Sequence, residues 1–351
     1  MSENNATMSA GMPASAPAFG SDVKRLPLKD LLKRIGPGLI ATGIVIGPGA
    51  VTTASMIGAN YGYDLMWLFF PIIFMGITFM MVTNRLAIVT GMPTIHAIRK
   101  YYGPVASGIV GCAMFLSCLF FTMGNISGTG AGMNLIFGLD WKIGSAIMIA
   151  VVVYMYFAKN VYSKVEKIIT LCIVLMIVAF YATLVGAVVL HPQGLSIKAP
   201  AQLAEMLVPI MGGSARYIMG LALLGAGFSS LLANTQRGMV LLGAGLDKDV
   251  SLESKFIRIG CLACLVFAMV VCYSYGGSPT QLILMANIAT SIATPFGGLF
   301  MLLMIWRDDL SVGYKKPTGL RICMTISYIF AVIMTISGLS TQIPKILALF
   351  H

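Results

Sequence analysis

The chain has 351 residues and a net charge of +11, and 58% of its residues are hydrophobic whereas only 10% are charged. A soluble protein of this composition would lack the charged side chains needed to cover its surface. Its apolar runs repeatedly reach about 20 residues, the length that a helix needs to cross a bilayer. These properties predict an all-α, polytopic membrane protein and exclude a soluble globular domain.

The amino-terminal segment differs in composition from the rest of the chain. Residues 1–23 are small and polar, and they lack the basic start and continuous apolar core of a signal peptide. We therefore expect a disordered cytoplasmic tail at 1–34, a transmembrane domain at 35–341 and a short extracytoplasmic tail at 342–351.

Nine membrane spans are predicted where apolar runs alternate with charged or turn-rich segments. Their approximate bounds are 36–60, 65–90, 104–137, 143–158, 166–190, 215–236, 256–275, 279–305 and 321–340. All seven cysteines fall inside these apolar runs, which favours packing over a disulfide framework. Cys261 and Cys264 form a CxxC pair, but the sequence around them offers no further metal ligands.

The positive charges test this span count, because membrane proteins concentrate Lys and Arg on the cytoplasmic side. With nine spans, 19 of the 23 Lys and Arg residues fall on one side of the membrane. The other side holds only Lys142, Lys198, Arg216 and Lys345. The pattern predicts a multi-pass protein of the cell (inner) membrane, with a cytoplasmic amino terminus and an extracytoplasmic carboxyl terminus. Topology and anionic lipid account for the net charge, so no nucleic-acid partner is expected.

The first span contains three residues that disfavour a helix, Gly47, Pro48 and Gly49. Proline inside a helix costs about 3 kcal/mol and glycine about 1 kcal/mol relative to alanine, so the span should unwind or kink there. Irregular backbone at this depth survives only where it is buried in protein or lines a cavity. Transporters bind ions and small solutes at such half-helix ends. The residues alone leave a binding site and a packing kink as equal alternatives.

Ionisable residues are missing from the middle of the predicted spans. All twelve acids and all three histidines lie in tails, in loops or near span ends. An intramembrane aspartyl protease needs paired buried acids, and a membrane metalloprotease needs a pattern such as HExxH. The sequence therefore argues against an enzyme, and no cofactor is expected.

Neutral polar residues are the remaining candidates for a pathway through the spans. Each could line the pathway or form hydrogen bonds between helices, and both alternatives stay open for Thr122, Asn125, Ser229, Ser230 and Asn234. A second group is spaced four residues apart and is expected to permit close helix packing, namely Gly124, Gly128 and Gly132.

Several segments resemble the Nramp family of divalent-metal transporters. The segment "GPGLIATGIVIGPGA" at 36–50 resembles that family's first span, in which Gly-Pro-Gly is followed eight residues later by a metal-binding Asp-Pro-Gly-Asn break. Further similarity lies at 85–91, 128–138, 223–230 and 256–309. The resemblance implies a LeuT-like fold of inverted five-helix repeats and transport of divalent cations.

The departures from the family pattern concern the metal site. Gly47 takes the position of the metal-binding Asp, and Ala50 that of the Asn. Segments that resemble the family's sixth and seventh spans are absent, so the family's Met-Pro-His motif is absent as well. If 215–236 is instead the sixth span, Ser229, Ser230 and Leu231 replace that motif.

A second departure concerns protons. Thr122 and Asn125 occupy positions where the family is thought to use acids for proton movement. Loss of these acids predicts that proton coupling is weakened or lost.

The resemblance predicts a transporter of Mn²⁺, Fe²⁺ or Mg²⁺ whose site offers backbone carbonyls and hydroxyls. The candidate binding residues are Gly47, Pro48, Gly49, Ala50, Thr52, Thr53, Ser229 and Ser230. One alternative is a different small solute, neutral or anionic, on the same scaffold. Another is a non-transporting regulatory protein, or a homo-oligomer that rebuilds the pathway. The expected partners are the lipid bilayer and the transported ion or solute.

Overall fold

The computed structural model describes residues 47–157, 182–194, 197, 199–274, 278–291, 293–311 and 316–347. All regular secondary structure in these ranges is helical, as the composition predicts. In chain order the helices are α1 (Pro48–Tyr61), α2 (Phe69–Thr90), α3 (Thr94–Phe137), α4 (Trp141–Phe157), α5 (Ala182–Val185, followed by a π-helical turn at Gly186–Leu190), α6 (Pro200–Glu205), α7 (Val208–Met211), α8 (Ala215–Leu246), α9 (Lys255–Ser274), α10 (Pro279–Ser291), α11 (Ala293–Trp306) and α12 (Thr318–Leu347).

The predicted spans coincide with helices wherever their residues are described. In that part of the chain, five helical stretches are long and apolar enough to cross a membrane, namely Met66–Thr90, Thr94–Phe137, Val208–Leu246, Lys255–Ser274 and Thr318–Ser340. Parts of the first and fifth predicted spans, 36–46 and 166–181, lie outside the described residues.

Two helices continue past the predicted span ends. The helix of the span predicted to end at 236 continues as α8 to Leu246, because Arg237 is exposed on the helix surface and does not interrupt it. The span end predicted at 340 agrees with the apolar stretch Thr318–Ser340, although α12 continues as a helix to Leu347. A charged or polar residue in the sequence marks where a helix leaves an apolar environment, not where its hydrogen bonding stops.

Helix α3 is interrupted near its start, where Gly103 has φ 89° and ψ 173°. Only glycine adopts this φ without strain, and Pro104 then begins the long helical segment with its fixed φ. The predicted start of the third span at residue 104 is therefore confirmed. The segment before Gly103 buries Ile95, Ala97 and Ile98 against α2 and neighbouring helices.

The largest interhelical contact joins α3 to α8. A Cβ atom at Gly132 would lie 2.7 Å from the backbone nitrogen of Leu224, so this glycine lets the two backbones touch. The neighbouring glycines of the four-residue series serve other partners, because a Cβ at Gly128 would meet Pro48 of α1 and one at Gly124 would meet Ala286 of α10. The predicted packing role of the three glycines is confirmed, and they join α3 to three different helices.

Two cations on the predicted charge-poor side bind the carboxyl ends of helices. Lys142 Nζ donates to the carbonyl of Tyr273 at 3.0 Å, near the end of α9. Arg216 donates through Nε to the carbonyl of Leu135, near the end of α3. The last carbonyls of a helix lack intrahelical donors and carry partial negative charge. These structural contacts explain why the first turns of α4 and α8 carry cations on the side where the charge pattern otherwise has few.

The predicted charge-rich loops meet one another through ion pairs and ring contacts. Arg99 of α3 pairs with Asp247, just after α8, at 3.3 Å. The guanidinium of Arg307, just after α11, lies 5.0 Å from the ring centroid of Tyr101. The two contacts bring the start of α3 together with the ends of α8 and α11, as the predicted topology requires.

The loop between α11 and α12 is held by a buried arginine. Arg321 donates through Nε to the carbonyl of Ile305 and through Nη2 to Asp308, both at 2.9 Å. This hydrogen bond from Arg321, together with the charge of Lys316, lowers the pKa of the Asp308 carboxyl. Because that pKa is lower in the folded chain, the stabilisation is present above the ordinary value of 3.8 and is lost as pH falls through the folded value.

Asp308→Asn is expected to lower the melting temperature slightly at neutral pH, because the exposed partner of an ion pair contributes little. The difference from the unmodified protein should shrink as pH falls below the ordinary carboxyl value of 3.8 and the native carboxyl also becomes protonated. Thermal unfolding in detergent, from neutral to acidic pH, measures the difference in melting temperature between the two proteins. Asp64→Asn, which changes the net charge equally, is the control. A difference that persists unchanged at the lowest pH would contradict this assignment.

Candidate solute-binding site at the start of α1

The first described helix, α1, begins at Pro48, within the predicted interruption of the first span. Gly47 is extended, with φ −94° and ψ −179°, and the helix begins at Pro48 with its N–H-free nitrogen in the first position. The carbonyl of Gly47 accepts a hydrogen bond from the nitrogen of Ala50 at 3.0 Å. The described side of the break is therefore the amino-terminal end of a helix, which carries partial positive charge.

The carbonyl of Gly47, one of the expected oxygen ligands, accepts one hydrogen bond within α1 and keeps a second lone pair. The preceding residues, 36–46, lie outside the described chain. On the described side, further oxygen atoms come from side chains on α1 and on the helices packed against it.

Asn125 of α3 lies against Gly47. A Cβ atom at Gly47 would be 2.8 Å from Asn125 Oδ1 and 3.0 Å from Cε1 of Phe121, so the missing side chain permits this approach. Asn125 is 1% exposed, and its Nδ2 has no hydrogen-bond partner among the described residues. A buried amide nitrogen without an acceptor is costly, which marks this point as one where a ligand or water would be stabilised.

Asn287 of α10 occupies the equivalent place beside Gly49. A Cβ at Gly49 would lie 2.3 Å from Asn287 Oδ1, so the terminal amide rests directly on the glycine. Asn287 Nδ2 donates to Thr53 Oγ1 at 2.9 Å, so this side chain links α10 to α1. Sequence reasoning missed Asn287, although an amide inside an apolar span was a usable signal.

We define the break cluster as Gly47, Gly49, Thr53, Asn125 and Asn287. It joins three helices, because α1 supplies the glycines and Thr53 while α3 and α10 each supply one amide. Glycine at 47 and 49 thus has two roles, since it weakens the helix and also makes room for the asparagines. Polar side chains from three helices therefore meet at the start of α1.

Other predicted residues on α1 differ in exposure. Pro48 is buried against Gly128, where a Cβ would lie 2.2 Å from Pro48 Cγ. Thr52 is fully buried, and its Oγ1 has no hydrogen-bond partner within the described part of the chain. Ala50, by contrast, is exposed and so points away from the buried amides.

The remaining predicted residues do not join the break cluster as one group. Ser229 and Ser230 are buried in α8, which runs through them without interruption. Thr122 and Asn234 line a separate narrow space between α3, α8 and α9, which has no room for a water molecule. Of the three predicted pathway residues, only Asn125 therefore lies at the break.

The break cluster carries no ionisable side chain. Within the described ranges, no group of three or more His, Cys, Asp or Glu side chains is placed to hold a metal ion. The cluster offers neutral amide and hydroxyl groups beside the positive end of α1. Such groups can coordinate a hard cation weakly or bind a neutral or anionic solute by hydrogen bonds.

The sequence matches one protein family over most of its length. Residues 38–188 and 182–341 match the family described as natural resistance-associated macrophage protein-like, Nramp. The two matched segments meet at 182–188, where the fifth-like span ends and the predicted loss of spans six and seven begins. The shortened character inferred from sequence is consistent with this division.

Two relatives share 26% identity with parts of the chain. One is the divalent metal cation transporter MntH of Clostridium acetobutylicum, matched over 151 residues, which are 42% of this chain and 33% of that protein. The other is ethylene-insensitive protein 2.2 of Populus trichocarpa, matched over 195 residues, which are 53% of this chain and 15% of that protein. The chain thus spans one third or less of the length of either relative.

Two solved structures share the fold. Both are mutants of the Eremococcus coleocola manganese transporter and are 14% identical to this chain. One matches with a TM-score of 0.70 over 91% of this chain and 88% of the other, and the second with 0.71 over 93% and 90%. The chain belongs to the Nramp family and is an all-α integral membrane protein with that family's LeuT-like fold.

Proposed function

We propose that this protein is a membrane transporter that carries a divalent cation of the Mn²⁺, Fe²⁺ or Mg²⁺ type through the break in α1. The observation that carries the proposal is the pair of amide groups, from Asn125 and Asn287, that rest on Gly47 and Gly49. Amide oxygens are among the ligands that hard divalent cations accept. Family membership supports a cation as cargo, since the Clostridium acetobutylicum relative is a divalent metal cation transporter.

Proton coupling is expected to be weak or lost in this transporter. The break cluster has no carboxylate, and the resemblance assigns Thr122 and Asn125 to positions that hold acids elsewhere in the family. Without a titratable group at the site, ion binding does not displace a proton. The same lack of charge predicts weak ion binding, because neutral oxygens replace carboxylates.

Uptake into proteoliposomes tests the proposal. Vesicles with the purified protein should accumulate Mn²⁺, Fe²⁺ or Mg²⁺ faster than empty vesicles, and an imposed pH gradient should change the rate little. Asn287→Ala should reduce uptake because it removes an oxygen ligand, whereas Asn134→Ala, at an exposed position of α3, should not. Flux no greater than in empty vesicles for every divalent ion would refute cation transport.

The protein is expected to lie in the cell (inner) membrane with its amino terminus in the cytoplasm and its carboxyl terminus outside. The charge pattern supports this orientation, since 19 of 23 Lys and Arg residues fall on the predicted cytoplasmic side. Reporter fusions at the two termini measure the orientation directly. Equal reporter activity from both compartments would contradict it.

A second candidate function is transport of a small neutral or anionic solute by the same site. Asn125 Nδ2 and Thr52 Oγ1 are buried without hydrogen-bond partners among the described residues, and both lie near the positive end of α1. Donor groups in this setting favour a solute that carries hydrogen-bond acceptors. Thermal stabilisation by members of a solute panel, but by no divalent metal, would favour this function over cation transport.

A further inference from the structure

A proline lies at the junction between α10 and α11. Helix α10 ends at Ser291, and Pro295 stands four residues later in the first turn of α11. In an unbroken helix the carbonyl of residue 291 would accept a hydrogen bond from the nitrogen of residue 295, but proline has no N–H to donate. Sharp bends in helices occur mainly at such positions, so this junction is a point where α10 can turn relative to α11.

Thr335 of α12 supplies a donor to the Ser291 carbonyl. Its hydroxyl oxygen lies 3.2 Å from the carbonyl oxygen of Ser291 and 2.9 Å from that of Ala331, one turn earlier in α12. The single hydroxyl proton is shared between these two carbonyls, so the side chain links α12 to the end of α10. Thr335 is 7% exposed, which places this link inside the packing of the helices.

Helix α12 also packs against α11, on the other side of the proline. Gly298 lets the ring of Tyr328 approach closely, because a Cβ at Gly298 would lie 3.1 Å from Tyr328 Cδ2. Farther along α11, Trp306 donates through Nε1 to Thr325 Oγ1 at 3.2 Å. Together with the contact at Ser291, these contacts place α12 antiparallel to α10 and α11, on both sides of the junction. Because α12 is attached to α11, its hydroxyl contact with α10 restricts how far α10 can turn.

Helix α10 carries Asn287 one turn before Ser291. The Asn287 amide rests on Gly49 and donates to Thr53 at 2.9 Å, so a turn of α10 at the junction would move the amide relative to α1. A binding site functions only while its ligands are held within about 0.5 Å of the productive geometry. The position of α10 therefore bears directly on the oxygen that Asn287 offers to an ion.

We infer that Thr335 is a positioning residue for the cation site, whose hydroxyl holds α10 at the proline junction and so keeps Asn287 against Gly49. This role rests on the proposed function, because it concerns the ion that the break cluster binds. Thr335 is not a member of the break cluster and acts on the ion through α10.

Binding of Mn²⁺ to the purified full-length protein, measured by isothermal titration, tests the role. Thr335→Val nearly keeps the side-chain shape and removes the hydroxyl, so it should weaken binding at least about threefold. Thr335→Ser keeps the hydroxyl and should bind within about twofold of the unmodified protein. Thr325→Val removes a hydroxyl of α12 that contacts α11 instead of α10, so it should also stay within about twofold.

Two double variants separate positioning from a general structural role. In the Asn287→Ala background the amide is gone, so the further change Thr335→Val should weaken binding little. In the Pro295→Ala background the nitrogen of residue 295 can donate to the Ser291 carbonyl, so Thr335→Val should again have little effect. The same fold-loss from Thr335→Val with and without these changes would overturn the inference.

Amide hydrogen exchange supplies a readout that requires no ion. Exchange within residues 284–291 of α10 should be faster in Thr335→Val than in the unmodified protein and in Thr335→Ser. Unchanged exchange and unchanged Mn²⁺ affinity in Thr335→Val would overturn the inference and leave the proposed function intact. Absence of divalent-ion binding by the unmodified protein would instead refute the proposed function, and faster exchange in Thr335→Val would still support the hold of Thr335 on α10.

Discussion

Replacing Asn287 with aspartate is expected to raise the affinity for a divalent cation at least about tenfold, or about 1.4 kcal/mol. The change is nearly isosteric and adds a negative charge where Oδ1 rests on Gly49. Thr53 can donate its hydroxyl proton to the new carboxylate, so the contact between α1 and α10 is retained.

The magnitudes favour binding over the cost of the buried charge. At an effective dielectric constant of about 20, two unit charges about 4 Å apart attract by roughly 4 kcal/mol, and a divalent ion doubles this. An aspartate in the middle of a membrane helix costs roughly 2.5–3.5 kcal/mol on insertion scales. Part of the attraction is offset by dehydration of the ion, which is why the expected gain is about one order of magnitude.

The same substitution should make binding depend on pH. Because the ion must displace the proton from the introduced carboxyl, affinity should weaken as pH falls. In the unmodified protein the Asn287 amide has no titratable proton, so the affinity for the cation should change little with pH. Isothermal titration with Mn²⁺ at several pH values measures both effects, and Asn134→Asp at an exposed end of α3 is the matched control. Unchanged affinity in Asn287→Asp would remove α10 from the site.

Position 47 is the less suitable place for a carboxylate, although the family resemblance points to it. A Cβ at Gly47 would lie 2.8 Å from Asn125 Oδ1 and 3.0 Å from the ring of Phe121. Gly47→Asp would therefore have to displace Asn125 before it could contribute a ligand. A side chain at position 47 would occupy the space of the Asn125 amide, so a carboxylate there requires a second substitution at Asn125. At Asn287 a single substitution is enough.

Replacing Gly132 with alanine is expected to destabilise the protein by about 1–3 kcal/mol, the usual cost of overpacking a tight contact. A Cβ at this position would lie 2.7 Å from the backbone nitrogen of Leu224 and 2.8 Å from the carbonyl oxygen of Gly220. Backbone atoms cannot rotate away as a flexible side chain can, so α3 and α8 would have to separate. Thermal unfolding in detergent measures the loss.

The matched control lies on the same helix. A Cβ at Gly108 would meet nothing within 4 Å, so Gly108→Ala changes only the helix propensity of α3. Alanine is favoured over glycine in a helix by roughly 1 kcal/mol, and this variant should be neutral or slightly more stable. If both alanine variants shifted the melting temperature equally, the close contact between α3 and α8 would not be the cause.

Much of the fold could be predicted from the sequence because membrane insertion imposes a pattern of hydrophobicity and charge within short stretches of the chain. A span must be apolar over about 20 residues, and the segments between spans must carry the charges. The predicted spans 65–90 and 256–275 therefore lie within one residue of the helical stretches Met66–Thr90 and Lys255–Ser274. The break at Gly47 was equally local, since proline and glycine act on their own backbone. Ends such as 236 were missed because hydrogen bonding continues past the first charged side chain.

The candidate site was predictable only in part. Gly47 was found from its own chemistry, but its neighbour Asn125 was grouped with Thr122 and Asn234, which line a different space. Asn287 was not predicted as a site residue, because the sequence around it does not indicate that its side chain contacts Gly49. Contacts between segments far apart in the chain depend on how the helices pack.

The sequence by itself determined the membrane-protein class, the helical character and the family resemblance, and it predicts the break in the first span. Each of these depends on hydrophobicity, charge or backbone propensity within a short window of residues. Only the tertiary structure decided that Asn125 and Asn287 meet at that break and that Thr335 lies beside the carbonyl of Ser291. Those pairings arise where glycines allow helices to approach closely, and the approach is fixed by packing across the whole fold.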